Sequence, residues 1–113
     1  MNSIKNQVQL IGNLGKNPEL ITFESDRKKV SFTMATNESY KDQNGEKKQI
    51  TQWHNVVAWG KLAEHIDLMT EKGNEIAIQG KLTYRTYQDK EGNDKYVTEI
   101  VAQEFFKISK KAE

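Results

Sequence analysis

The sequence predicts an all-β protein, a five-stranded barrel with one short helix between the third and fourth strands. Three observations predict it. Apolar and polar residues alternate with a period of two in several separate stretches, as half-buried strands require. One stretch, about Lys61 to Lys72, instead repeats Leu62, Ile66 and Met69 at helical spacing. Two polar segments with turn chemistry, Asp42 to Lys47 and Asp89 to Asp94, lie one on each side of that helix and read as hairpin loops.

The first strand is expected over about Lys5 to Leu14, with Val8, Leu10, Gly12 and Leu14 on one face. Gly15-Lys16-Asn17-Pro18 ends it, because Pro18 cannot donate to a ladder. A short extended piece follows from Leu20 to Glu24. The second strand, about Lys29 to Tyr40, alternates Val30, Phe32 and Met34 against Ser31 and Thr33. The third runs from about Gln49 to Trp59. In the helix Leu68 widens the apolar stripe, and Gly73 stands where a helix C-terminal glycine belongs. The fourth strand, about Glu75 to Tyr87, places Ile76, Ile78, Gly80 and Leu82 on one face. The fifth runs from about Lys95 to Ile108. Both hairpin loops share the spacing Tyr-x-Asp-x-x-Gly, beginning at Tyr40 and Tyr87. This order of elements is that of an OB-fold barrel, a fold that commonly binds oligonucleotides or oligosaccharides.

At 113 residues the chain is long enough for one domain, expected over residues 1–109, with a short basic end at 110–113. Ile, Leu, Val and Phe total 25, a thin core that makes self-association plausible. No cysteine is present, so disulfides and thiolate chemistry are excluded. No apolar stretch approaches the roughly 20 residues needed to span a bilayer. A soluble, intracellular protein is expected. The net charge is only +1. Lysine supplies 15 of the 17 basic residues, and Arg27 and Arg85 the other two. Lysine suits phosphates, whereas arginine is the better reader of guanine edges, so the balance leans toward sequence-independent binding.

Alternation places the candidate site. Trp53, Asn55, Val57 and Trp59 share one face of the third strand; His54, Val56 and Ala58 share the other. If Val56 and Ala58 line the barrel, both tryptophans face outward. In the fourth strand Gln79, Lys81, Thr83, Arg85 and Tyr87 then face out. Rings for bases beside cations for phosphates are what single strands require. Tyr84 and Tyr96, with Phe23 and Phe32, are read as structural. Phe105-Phe106 puts one ring on each face.

At these residues the chain resembles the bacterial single-stranded DNA-binding protein family over nearly its whole length. The matching stretches are Val8-Gln-Leu-Ile-Gly-Asn-Leu-Gly15 with Asn17-Pro18-Glu19, Ala35-Thr-Asn-Glu-Ser-Tyr40 and Thr51-Gln-Trp-His-Asn-Val-Val57. They continue with Gly60-Lys-Leu-Ala-Glu64, Lys72-Gly73, Gly80-Lys-Leu82 and Arg85-Thr-Tyr87. The resemblance implies a homotetramer, or alternatively a homodimer, of OB-folds that coats single-stranded DNA in replication, recombination and repair, without catalysis, cofactor or metal. It implies stacking by Tyr40, Trp53, Trp59 and Tyr87, phosphate contacts by Lys61, Lys72 and Arg85, and a site position at Asn55, where arginine is common. His54 matches a position of subunit contacts. Such proteins usually continue into a tail with an acidic tip that recruits replication and repair enzymes. This chain ends Phe106-Lys-Ile-Ser-Lys-Lys-Ala-Glu113, so the resemblance does not carry tail-mediated recruitment over. Short form and truncation both fit that ending.

Other classes fit less well. His54 and His65 are each remote in sequence from a ligand partner, and no phosphate loop or nucleophile elbow occurs. An OB-like module that mainly touches proteins would lack several of the stacking rings. A cold-shock-type RNA binder would cluster its aromatics on adjacent central strands.

Overall fold

The computed structural model describes residues 4–109; the basic end at 110–113 lies outside the described residues. The described elements are β1 (Val8–Leu14), β2 (Glu19–Thr22), β3 (Lys28–Lys41), β4 (Lys47–Trp59), α1 (Gly60–Met69), β5 (Glu75–Gln88) and β6 (Asp94–Ser109). Five of the strands close a barrel. β1 pairs with β5 from Val8↔Gly80 to Asn13↔Glu75, and its last residues cross to β3 at Asn13↔Ala35 and Leu14↔Met34. β3 and β4 pair antiparallel, as do β5 and β6. The parallel step between β4 and β6, at Val56↔Ile100 and Val57↔Val101, completes the circuit. β2, the extended piece after Pro18, adds to the outer edge of β3 through Leu20↔Val30.

The alternation read from the sequence sets the core. Val30, Phe32, Met34, Val56, Ala58, Ile76, Ile78, Ile100 and Ala102 point inward, and Ala63 and Ile66 of α1 seal one end. Each fully buried aliphatic side chain of this kind contributes about 1.5–3 kcal/mol. β6 shifts register against β5 twice, opposite Glu75/Ile76 and, as a bulge, opposite Gln79/Gly80. Gln79 pairs with Glu104 and Gly80 with Ala102, so Gln103 is the extra residue. The bulge reverses the alternation, turning Phe105 toward the core and leaving Phe106 70% exposed.

Beyond the barrel, β3–β4 and β5–β6 run on as two hairpin arms whose loops are structural copies. In each, one Asp oxygen accepts two backbone N–H groups at 2.9 Å, from Asn44 and Glu46 to Asp42 and from Glu91 and Asn93 to Asp89. Gly45 and Gly92 take up the left-handed positions, with φ of 79° and 83°. The shared Tyr-x-Asp-x-x-Gly spacing is the sequence of this turn.

Several expectations change. The helix ends at Met69 and not at Lys72, because the Thr70 hydroxyl donates to the Ile66 carbonyl at 2.6 Å and Thr70 is extended. Gly73 therefore does not cap it. Gly73 sits in the following turn, where its N–H donates to the Leu14 carbonyl. Leu68 does not widen the buried stripe: it is 82% exposed, half a turn away from Ile66, and Met69 is also exposed at the helix end. Tyr84 and Tyr96 are not part of the core; within the chain they are 73% and 80% exposed, on the arm beyond the barrel. Phe23 is likewise exposed, while Phe32 is core.

α1 is tied to the sheet by Lys28, whose ammonium donates to Glu64 at 2.6 Å. This hydrogen bond raises the Lys28 pKa and lowers that of Glu64. The pair's contribution is thus present at neutral pH and is lost as pH falls through the lowered Glu64 value.

Closure at β1–β3 has no room for a side chain at position 12, where a Cβ would collide with the Ala35 carbonyl. Gly12→Ala is expected to destabilise the fold by about 3 kcal/mol, the upper end of ordinary overpacking. Ile76→Ala is expected to cost about 2–5 kcal/mol through its cavity. Chemical denaturation of both variants checks these values.

Candidate nucleic-acid interface

β4 carries the centre of the site. With Val56 and Ala58 inward, Trp53, Asn55 and Trp59 stand on the outer face, as alternation requires. Trp53 is 62% exposed, and its position is set by a missing side chain. Its indole lies over Gly15, where a Cβ would stand 2.5 Å from Cζ3 of the ring, and beside Thr33. The far end of the ring thus approaches Gly15 closely while most of the indole is exposed.

A groove of about 310 Å³ crosses this outer face between the two arms. Asn55 and Val57 of β4, Ser31 and Thr33 of β3, and Val97 and Glu99 of β6 line it. Val57 faces outward yet is buried at its floor. Lys16, Lys29 and Arg85 bring positive charge to the groove, against Glu19 and Glu99. Arg85 is not free. Its Nε and Nη2 donate to the two carboxylate oxygens of Glu99 at 3.0 and 3.2 Å, and Glu99 is only 12% exposed. The hydrogen bonds to Glu99 hold the guanidinium pKa above its ordinary value. The guanidinium also lies 5.8 Å from the centre of the Tyr87 ring, so Arg85 and Tyr87 form one surface.

Trp59, at the other end of β4, is half-exposed beside Lys29, its register partner. The fold therefore brings five of the sequence-predicted residues together: Trp53, Asn55, Trp59, Arg85 and Tyr87. The remaining three lie around them. Lys61 is the second residue of α1, directly beyond Trp59 and Gly60. Lys72 is held beside the Gly15–Pro18 loop by its backbone N–H, which donates to Asn17 Oδ1 at 2.7 Å. Tyr40 is exposed but pairs with Lys48, five residues along β3 from the Ala35↔Trp53 pair. An odd offset puts it on the opposite face of the arm from Trp53. His54 has the inward parity, and its Nε2 lies 2.9 Å from the Thr36 hydroxyl.

Sequence reasoning did not find Lys16, Lys29, Gly15 or Glu99 as parts of this surface. Alternation alone could have placed Lys29, which shares the outer parity of Ser31 and Thr33. Glu99 and Gly15 had no local signal, because their partners are distant in the chain.

Comparison with known proteins identifies the family. Residues 5–108 match the model of the single-strand binding protein family. A single-stranded DNA-binding protein of Chlorobaculum tepidum is 45% identical over 97 residues, which is 85% of this chain and 60% of that protein. One from Xylella fastidiosa is 41% identical over 107 residues, 94% of this chain and 79% of that protein. This chain thus spans less than two thirds of the first relative. Among solved structures, a Plasmodium falciparum SSB in complex with ssDNA superposes with a TM-score of 0.86 at 29% identity, covering 96% of this chain and all of that one. A Thermus aquaticus single-stranded DNA-binding protein gives 0.81 at 26% identity, over 92% of this chain and 50% of that one. With barrel, outer-face aromatics and family match in agreement, the chain belongs to the single-strand binding protein family.

Proposed function

We propose that the protein binds and coats single-stranded DNA without marked sequence preference, and that it serves replication, recombination and repair as a binding protein and not as an enzyme. One observation carries the reading: Trp53, Trp59 and Tyr87 are open on a single outer face around a groove lined with Lys16, Lys29 and Arg85. Stacked rings take bases of any identity, each base being worth roughly 1–3 kcal/mol, and the cations follow the backbone. Asn55 offers its amide to the strand at the groove floor. Lys61 and Lys72 extend the cationic track at either end. Tyr40, on the far face of its arm, meets the strand where it turns around that edge. Among the described residues no helix is long and apolar enough to cross a membrane; we place the protein in the cytoplasm with the nucleoid.

Self-association is part of the same proposal. Ile11, Ala77 and Phe106 form one row across β1, β5 and β6, with Ile11 and Phe106 exposed. An apolar row on an otherwise polar barrel marks an interface. We assign the contact between copies in a homotetramer to this face.

Four outcomes test the reading. Titration with oligo-dT is expected to quench tryptophan fluorescence, with an affinity that falls as salt rises; absence of binding at low salt defeats the proposal. Gly15→Ala is expected to push the Trp53 ring aside, weakening binding by no more than about 1–3 kcal/mol while leaving the unfolding midpoint nearly unchanged. Glu99→Gln releases Arg85 to phosphates and is expected to tighten low-salt binding and steepen the salt slope by about one unit. Phe106→Glu is expected to reduce the sedimenting mass without unfolding the barrel.

A further inference from the structure

The turn between β2 and β3 is built around Trp59. Phe23 precedes a single 3-10 turn, Glu24–Asp26, and Arg27 follows it. The Phe23 N–H donates to the Arg27 carbonyl at 2.6 Å, which closes the loop on itself. Ser25 and Asp26 have φ of 66° and 61°, left-handed values that cost non-glycine residues conformational energy. That backbone delivers two side chains to one indole. The Phe23 ring lies 6.0 Å from the Trp59 ring at an interplanar angle of 27°, and the Arg27 guanidinium carbon stands 4.5 Å from the indole centre. Lys29 adds a second cation at 5.5 Å. Phe23 and Trp59 both remain partly open to solvent, so the cluster is a surface and not a satellite core.

We propose that residues 23–27 form a nucleotide-binding turn. Phe23, Trp59 and Arg27 act as one stacked platform that holds a nucleotide of the single strand, with its base against the rings and its phosphate on Arg27. The chemistry is matched on both counts. Aromatic faces and guanidinium planes both stack on unpaired bases. The Arg27 guanidinium already stands over the indole, so a phosphate at the platform meets a cation in place. Lys29 links the platform to the groove it lines, so the strand path continues past Trp59 to the β2 edge. The inference rests on the single-strand reading above and extends it to residues outside that site.

The test uses the whole chain with an oligo-dT carrying 5-iodouracil. Irradiation is expected to give adducts on Phe23 or Trp59 as well as on Trp53, located by mass spectrometry of the digested protein. Phe23→Leu is expected to lower oligo-dT affinity about tenfold, within the range for one stacked base. Arg27→Gln is expected to lower the salt slope by about one unit. Trp53 quenching and the unfolding midpoint should be unchanged in both. If the parent binds and crosslinks at Trp53, but no adduct forms on Phe23 or Trp59 and both variants keep the parent affinity and slope, the turn has no such role and the single-strand reading stands. If affinity falls in Phe23→Leu while adducts stay confined to Trp53, Phe23 is a support for Trp59 and the proposal fails. If the parent does not bind at low salt, the single-strand reading itself fails.

Discussion

The pleat of β4 couples the core to the surface. Burying Val56 and Ala58 fixes the phase of the strand, and that phase leaves Asn55, Val57 and Trp59 no direction but outward. A one-residue slip would turn Trp53, Asn55 and Trp59 inward and expose Val56 and Ala58. The parallel step at Val56↔Ile100 and Val57↔Val101 passes the same phase to β6, and the antiparallel ladder passes it on to β5. The groove floor, its cations and its rings are thus positioned by the packing that stabilises the barrel. β1 closes the circuit where it crosses to β3, immediately before Gly15 carries the Trp53 ring.

Charge acts locally in this protein. A chain of net charge +1 has little long-range field to steer a polyanion. The groove supplies a short-range one, three cations moderated by Glu19 and Glu99. Arg85 is held in a bidentate pair, so a phosphate must compete with a carboxylate already in place. Any affinity this allows is moderate per contact and depends on many contacts in series.

Most of the fold was legible because it rests on local periodicity. Val30-x-Phe32-x-Met34 and Ile76-x-Ile78 read as strands, and the loops at Asp42 and Asp89 as hairpins, without knowledge of their partners. The same alternation gave Trp53, Trp59, Arg85 and Tyr87 their outward direction. What escaped depends on contacts between residues far apart in the chain or on competition at an element's end. Thr70 ended the helix early by capturing a carbonyl, a choice that the apolar spacing of Met69 concealed. Tyr84 and Tyr96 look like core by composition, yet the arm that bears them has run past the barrel. Glu99 lies 14 residues from Arg85, and Trp53 lies 38 from Gly15, so neither pairing has a signature in the sequence around it. Tyr40 carried a family resemblance, but its side of the arm follows from the β3–β4 register and not from its neighbours.

The twin hairpin loops have a consequence for how such a surface can change. Each loop satisfies its own backbone with its own Asp42 or Asp89 and requires nothing from the barrel. The tips are therefore self-contained units grafted on the ends of ladders. Lengthening an arm by one residue on each strand inverts the tip relative to the barrel, whereas two residues on each strand restore it. Reach can thus change without sidedness in steps of two residues per strand, and both change together in steps of one, while the barrel sequence stays as it is.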